Sequence, residues 1–249
     1  MDLKGKVAIV TGGNGGLGQR ICHALAQAGC HIAVVYAKSR DQAEEVAAAL
    51  RTHGVRAEPF ACDLTDPPQV EAMVAAVERT LGRVDILVND AAYNKWIAYT
   101  DLDALTLEVW DRILATNLTG PMLCTKAVAA AMRRQGGGRI VNISSVAGLS
   151  PTGSSIAYAV SKAGLIHLTK CMAVALAPDI LVNCVAPGYI EETRATSNLD
   201  PAYRQRSRDS ALLKRAADKD DIAEQVVLLC RTESITGQTL AIDAGRVFH

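Results

Sequence analysis

Residues 139–164 read RIVNISSVAGLSPTGSSIAYAVSKAG. An apolar strand runs into a loop of small residues, and a helix opens beyond it carrying Tyr158 and Lys162. Residues four apart on a helix lie on one face, separated by one turn. A phenol and an ammonium placed that way suggest acid chemistry. The free phenol titrates near 10, and lowering it by about 3 units takes roughly 4 kcal/mol of preferential phenolate stabilisation. The expectation is that the Lys162 charge, in a partly desolvated cleft, supplies this. Ser145, at the end of the strand and thirteen residues before the tyrosine, can hydrogen-bond the same substrate oxygen.

Outward from this stretch, apolar runs alternate with helix-length segments: VAIV at 7–10, IAVV at 32–35, DILV at 85–88, LVNCV at 181–185 and TLAI at 239–242. Near-continuous apolar strands separated by long amphipathic segments predict an α/β fold with a doubly wound parallel sheet, covered by helices on both faces. Gly29, Gly54 and Gly82 close three successive helical segments, and Pro67 opens the third. Pro59, within the third strand near RAEPFAC, cannot donate to a ladder and points to a sheet edge. No linker or repeat divides the chain, so residues 1–249 read as a single domain.

The balance of charge excludes one class of partner. Lys plus Arg and Asp plus Glu number 26 each, leaving no net field to attract nucleic acid or an anionic membrane. The opening MDLKGKVAIVTGG lacks the apolar core of a secretory signal, and no run is expected to approach the roughly 20 apolar residues of a membrane span. A soluble, cytoplasmic protein is the expectation. Seven scattered cysteines (Cys22, Cys30, Cys62, Cys124, Cys171, Cys184 and Cys230) form no C-x-x-C pair and read as reduced core residues; the five histidines show no ligand spacing, so no metal is expected.

The segment TGGNGGLG at 11–18 joins the first strand to the first helix. Glycines at 12, 16 and 18 allow a tight turn and close approach of a pyrophosphate to the backbone, where the helix N-terminus offers N–H donors. Together with Tyr-x-x-x-Lys and its upstream serine, this loop resembles the short-chain dehydrogenase/reductase family, and corresponding segments run in family order from about Lys4 to about Gly245. The resemblance implies a Rossmann-type sheet of about seven strands in the order 3-2-1-4-5-6-7, which puts the Pro59 strand at an edge. It implies an NAD(P)-dependent oxidoreductase that moves a hydride between the nicotinamide and a carbonyl or secondary alcohol. Tyr158 is then the general acid/base, Ser145 steadies the oxygen, Lys162 also holds the nicotinamide ribose, and Asn117 holds a water that links the lysine to solvent. Ser144 should point the opposite way from Ser145.

For the dinucleotide, the resemblance implies a binding set of Gly12, Asn14, Gly16, Leu17 and Gly18 in the loop, and Tyr36, Lys38 and Ser39 after the second strand. It adds Asp63 and Leu64 after the third strand, Asn89 and Ala91 after the fourth, Tyr158 and Lys162, and Pro187, Gly188 and Ile190 after the sixth. The second strand ends in Tyr36 rather than an acid; Lys38 and Arg40 follow, and a 2′-phosphate would meet cations instead of a carboxylate. NADP(H) is therefore favoured over NAD(H), although Gly15 stands where many NADP-using relatives carry a basic residue. Three further departures are Asp90 and Ala92, where the family shows Asn and Gly, and Glu192 at a usual threonine position.

Residues of about 190–215 match the family's substrate lid; Arg194, Arg204, Arg206, Arg208 and Lys214 could meet an acidic substrate or carrier, or form a solvated face. Tyr93, Trp96 and Tyr189 are candidate aromatic walls. The substrate is expected to be a small carbonyl or alcohol, with an acyl thioester, a polyol or sugar, and a steroid-like alcohol all open. A homotetramer is expected, then a dimer; a non-catalytic dinucleotide-binding subunit is the rival reading.

Overall fold

In the computed structural model, which describes residues 1–197 and 199–248, the apolar runs form seven strands. These are β1 (Val7–Thr11), β2 (His31–Tyr36), β3 (Ala57–Ala61), β4 (Ile86–Asn89), β5 (Gly138–Ile143), β6 (Ile180–Pro187) and β7 (Thr239–Ile242). They make one parallel sheet in the order β3-β2-β1-β4-β5-β6-β7. The predicted strand order and the edge position of the Pro59 strand are both found. Val10 sits between Val34 and Val88 across the central strands, and all five β1 residues are buried. A strand covered on both faces has no polar side to alternate with, which is why these segments read as unbroken apolar runs.

Helices α1 (Gly16–Gln27), α2 (Arg40–Arg51), α3 (Pro67–Leu81), α4 (Leu107–Leu114), α5 (Gly120–Arg134), α6 (Ile156–Leu176), α7 (Arg194–Ser197), α8 (Pro201–Ser210) and α9 (Lys219–Arg231) complete the chain. On one face Ile21, Leu25, Leu50 and Val226 pack α1, α2 and α9 against the sheet. On the other, Val74, Val77, Val128, Met132 and Leu176 do the same for α3, α5 and α6. Each fully buried side chain of this size contributes about 1.5–3 kcal/mol. The helix signals act as read: Asp66 accepts from Gln69 N at 3.3 Å ahead of Pro67, and Gly82 ends α3 at φ +91°, a left-handed conformation that favours glycine.

One expectation fails. α6 is 21 residues long with a mean hydropathy of 1.3, enough by length and composition to cross a membrane. Only 44% of that stretch is buried, on the side that packs against β6 and α4, and the helix carries Lys162, His167 and Lys170 within its length. All seven cysteines are unpaired, and all but Cys171 are buried. The C-terminal strand ends face one common edge, where the loops after β1, β2, β4, β5 and β6 meet; in open α/β sheets this is the ligand-binding edge.

Candidate active site

Strand β5 and helix α6 place the chemistry. β5 delivers Ser144 and Ser145 at its end, and they diverge as the alternation of a strand requires. Ser144 Oγ turns inward and donates to Lys162 O at 2.8 Å. Ser145 faces the cleft, where its Oγ accepts from Ala147 N at 3.1 Å and hydrogen-bonds the Tyr158 phenol. Ser155 caps α6, its Oγ accepting from Tyr158 N at 3.2 Å, so the tyrosine sits in the first turn with Lys162 one turn below. The lysine is 2% exposed; its Nζ donates to Ile143 O at 2.8 Å and lies 5.8 Å from the Tyr158 ring centre.

The expected lowering of the phenol is not found. Burial pushes Tyr158 up to about 12, with the Ser145 hydrogen bond opposing and Tyr203 and Asp90 adding. Lys162 is itself pushed down to about 8 by burial, with Asp90 and Cys184 pulling the other way. The cleft that brings the two groups together also strips water from both, so each charged form is disfavoured. Lys162, spent on the Ile143 carbonyl, does not offset this.

Asn117 lies in a π-helical turn, Ala115–Thr119, between α4 and α5. Such turns interrupt the i→i−4 ladder and frequently mark sites. The side chain is fully buried: Oδ1 accepts from Tyr93 N at 2.8 Å, while Nδ2 donates to Tyr93 O at 2.9 Å and Ser161 Oγ at 3.1 Å. It thus clamps the loop after β4 onto α6, the helix of Tyr158 and Lys162, and its amide is fully used in doing so.

The cleft has a volume of about 560 Å³. Of the expected dinucleotide residues it is lined by Gly12, Asn14, Gly16, Leu17, Tyr36, Lys38, Asp63, Leu64, Ala91, Tyr158, Lys162, Pro187, Gly188 and Ile190. Three expected residues lie behind this lining. Gly18 packs under the loop, where an added Cβ would stand 2.3 Å from Gly12 O. Asn89, 2% exposed, joins β4 to β5 through Nδ2 to Asn142 Oδ1 at 2.8 Å, so it is a sheet residue beneath the site. Ser39 contributes its carbonyl, which accepts from Asn14 Nδ2 at 3.2 Å and ties the loop after β2 to the glycine loop. Asp63 lines the wall with its carboxyl held below its ordinary range, mainly by hydrogen bonds from Thr65 Oγ1 and N.

This lining fits a dinucleotide. Gly15 caps α1 without a side-chain bond and the first turn carries no acid, so the helix N–H groups are available to an anion. Gly12 (φ +67°) and the Gly18–Gly12 approach permit only glycine, which keeps the loop flat against whatever lies on it.

The substrate end held surprises. Tyr203, on α8, lines the cleft and influences Tyr158 and Tyr99; its ring packs on Trp96 at 5.2 Å, and the Arg246 guanidinium lies 5.9 Å from its centre. Tyr93 and Tyr189 line the cleft as expected, whereas Trp96 stands behind Tyr203. Arg246, which lines the cleft and donates to Ser207 Oγ at 3.3 Å, was signalled by no motif. The basic lid residues do not line the cleft: Arg204 Nε donates to Leu199 O, Arg208 pairs with Glu191, Lys214 Nζ donates to Asp209 O and Arg206 is exposed. The side chain of Arg194 lies outside the described residues. Glu192 points outward to Lys219 at 3.4 Å, with its carbonyl over Gly16.

Residues 6–204 match the family model described as short chain dehydrogenase. A 3-oxoacyl-[acyl-carrier-protein] reductase of Aquifex aeolicus is 34% identical over 249 residues, covering 98% of each protein. Among solved structures, an NAD+-bound xylitol dehydrogenase superposes with a TM-score of 0.89 at 32% identity, covering 98% of this chain and 100% of the other. An NADPH-dependent 3-quinuclidinone reductase from Rhodotorula rubra gives 0.89 at 26% identity, covering 98% and 92%. Fold, motif order and full-length similarity agree: the chain belongs to the short-chain dehydrogenase/reductase family and is an oxidoreductase that uses a nicotinamide dinucleotide.

Proposed function

We infer that this chain is a carbonyl reductase in which Tyr158 protonates the substrate oxygen while hydride arrives at the attached carbon. The observation that carries this reading is the geometry: Tyr158 and Lys162 stand one turn apart on α6 and line, with Ser145, the same cleft as the glycine loop, and the phenol, raised by burial, carries its proton at neutral pH. Ser145, hydrogen-bonded to that phenol, is positioned to steady the same oxygen. Lys162 supplies a cation beneath the oxygen, and Asn117 holds the π turn and the Tyr93 loop in place behind it. When bound, the nicotinamide supplies the hydride; the residues available to hold the dinucleotide are those of the glycine loop, Lys38, Asp63 and the Pro187–Ile190 segment. The test is Tyr158→Phe, which should lower kcat by about two orders of magnitude or more. Retention of most of the activity would overturn the assignment.

NADP(H) is the favoured coenzyme in this reading, because Lys38 lines the cleft and no carboxylate ends β2. The substrate is a small aromatic-compatible carbonyl compound, with an acyl thioester as one member of the class, bounded by Tyr93, Tyr189 and Tyr203. Exposed apolar side chains on α4 (Leu107), α6 (Val160, Val174) and β7 (Leu240) support assembly into a homotetramer, read by light scattering on the purified protein. Seven unpaired cysteines fit a reducing cytoplasmic setting.

A further inference from the structure

Asp90 lines the dinucleotide cleft beside the glycine loop, at a position where the family resemblance leads one to expect asparagine. Strand β4 ends at Asn89, and Thr11 Oγ1 accepts from the N–H groups of both Asp90 and Ala91, at 3.1 and 3.2 Å. That pins the backbone and aims the side chain at α1: an added Cβ on Gly18, in the first turn of that helix, would stand 3.0 Å from Asp90 Oδ2. The residue is half-buried and lines the cleft, and among the described residues no donor is hydrogen-bonded to its carboxyl group.

We propose that Asp90 is a positioning residue that couples dinucleotide binding to proton uptake, taking a proton when the pyrophosphate occupies the N-terminal end of α1. The physical argument is competition for one positive pole. A helix N-terminus stabilises a nearby anion, and with the cleft open the carboxylate has that pole to itself. A bound pyrophosphate brings two further negative charges to the same turn, in a place where low dielectric magnifies repulsion. The carboxyl group is already close to balance, pushed up to about 7 by burial, with the Lys162 charge opposing. The charged and titratable groups that face it are Lys162 and Tyr158 on α6 and Cys22 on α1. Burial pushes the Cys22 thiol up, so it is neutral throughout; Tyr158 is neutral below about 12. Of these groups, Lys162 alone also titrates near neutrality.

This rests on the reading of the cleft as a dinucleotide site, and the sign follows. If the protonated form binds, the dissociation constant for NADPH rises about tenfold between pH 6 and pH 8, as the carboxyl group ionises through about 7. Lys162, losing its charge above about 8, would weaken binding with the same sign, so slope alone does not separate the two. Difference infrared spectroscopy does, because a carboxylic acid C=O stretch reports a protonated carboxyl group and no lysine. Titration calorimetry of NADPH and NADH against wild type and Asp90→Asn at pH 6, 7 and 8 should show the wild-type slope at least halved in the variant. The infrared difference on adding NADPH near pH 7.5 should show a carboxylic acid band in wild type that is missing from Asp90→Asn. Equal slopes in the two proteins, or no carboxylic acid band in wild type, would overturn the proposal; the second reading needs only the wild-type protein. Failure of both coenzymes to bind wild type at any pH would instead overturn the dinucleotide site, and the proposal with it.

Discussion

Two aspartates frame β4, five residues apart, and they have opposite surroundings. Asp85, before the strand, is 1% exposed and saturated: Oδ2 accepts from Val7 N at 2.9 Å and Arg83 Nε at 2.6 Å, Oδ1 accepts from Arg83 Nη2 at 2.6 Å, and Lys6 Nζ lies 3.5 Å away. Its backbone links β1 to β5, Asp85 N donating to Val7 O and Arg139 N to Asp85 O. Asp90, after the strand, has a lysine for company and no donor among the described residues. A buried carboxylate with every acceptor satisfied fastens a fold; one left short of partners is a reservoir of free energy that a ligand can tap. The N-terminal edge of the sheet is therefore the structural edge, and the C-terminal edge is the reactive one.

That contrast is open to direct attack. The largest effect belongs to Tyr158→Phe at the reactive edge: kcat should fall by about two orders of magnitude or more while the melting temperature stays where it was. Loss of folding instead would place Tyr158 on the structural side. The mirror experiment is Asp85→Ala, which strands the Arg83 guanidinium and the Val7 N–H. Stability should drop by about 3 kcal/mol, read from denaturant midpoints, and kcat of the folded fraction should be nearly unchanged. A catalytic defect in that fraction would show that the two edges are coupled.

The next effect is read from pH. Carbonyl reduction needs the Tyr158 proton, which is held up to about 12, and the Lys162 ammonium, which is present below about 8 and lost above it. Reduction should therefore fall above pH 8, at a limit approaching tenfold per unit. Oxidation of the corresponding alcohol, which needs the phenolate together with the same ammonium, should rise with pH up to about 8 and level off above it. A reduction profile flat through pH 10 would show that the lysine charge is dispensable.

Much of this was legible in the chain itself, for identifiable reasons. Strands covered on both faces announce themselves as apolar runs, Pro59 marks an edge because it lacks an N–H, and Tyr158 and Lys162 are joined by a helical period that any reader can count. What escaped depends on the third dimension. Tyr203 and Arg246 join Tyr158 in the cleft lining only because the lid helix and the C-terminal segment fold toward the site, where Arg246 lies over the Tyr203 ring. Asn89 and Asn117 carry side chains whose partners, Asn142, Tyr93 and Ser161, are settled by neighbouring elements. The direction of the Tyr158 shift turns on how much water the surrounding elements exclude, and spacing along a helix says nothing of that.

The smallest effect concerns the coenzyme, at the far end of the reactive edge. Lys38 and Arg40 follow β2 together, but the structure separates them: Lys38 lines the cleft, whereas Arg40 is turned to Glu44 at 3.8 Å on the exposed face of α2. If Lys38 meets a 2′-phosphate, its contact resembles a surface ion pair strengthened by charge-assisted hydrogen bonding, about 1.4 kcal/mol, or tenfold. Lys38→Ala should then lower kcat/KM for NADPH about tenfold and leave NADH untouched, while Arg40→Ala changes the ratio of the two by less than about twofold. Asp63 sharpens the reading, because its carboxylate stands close enough to feel the Lys38 charge. Asp63→Asn should raise NADPH efficiency if that carboxylate competes for Lys38. Equal losses for both coenzymes in Lys38→Ala would mean that the lysine merely shapes the loop, and discrimination would then have to come from the missing acid at Tyr36.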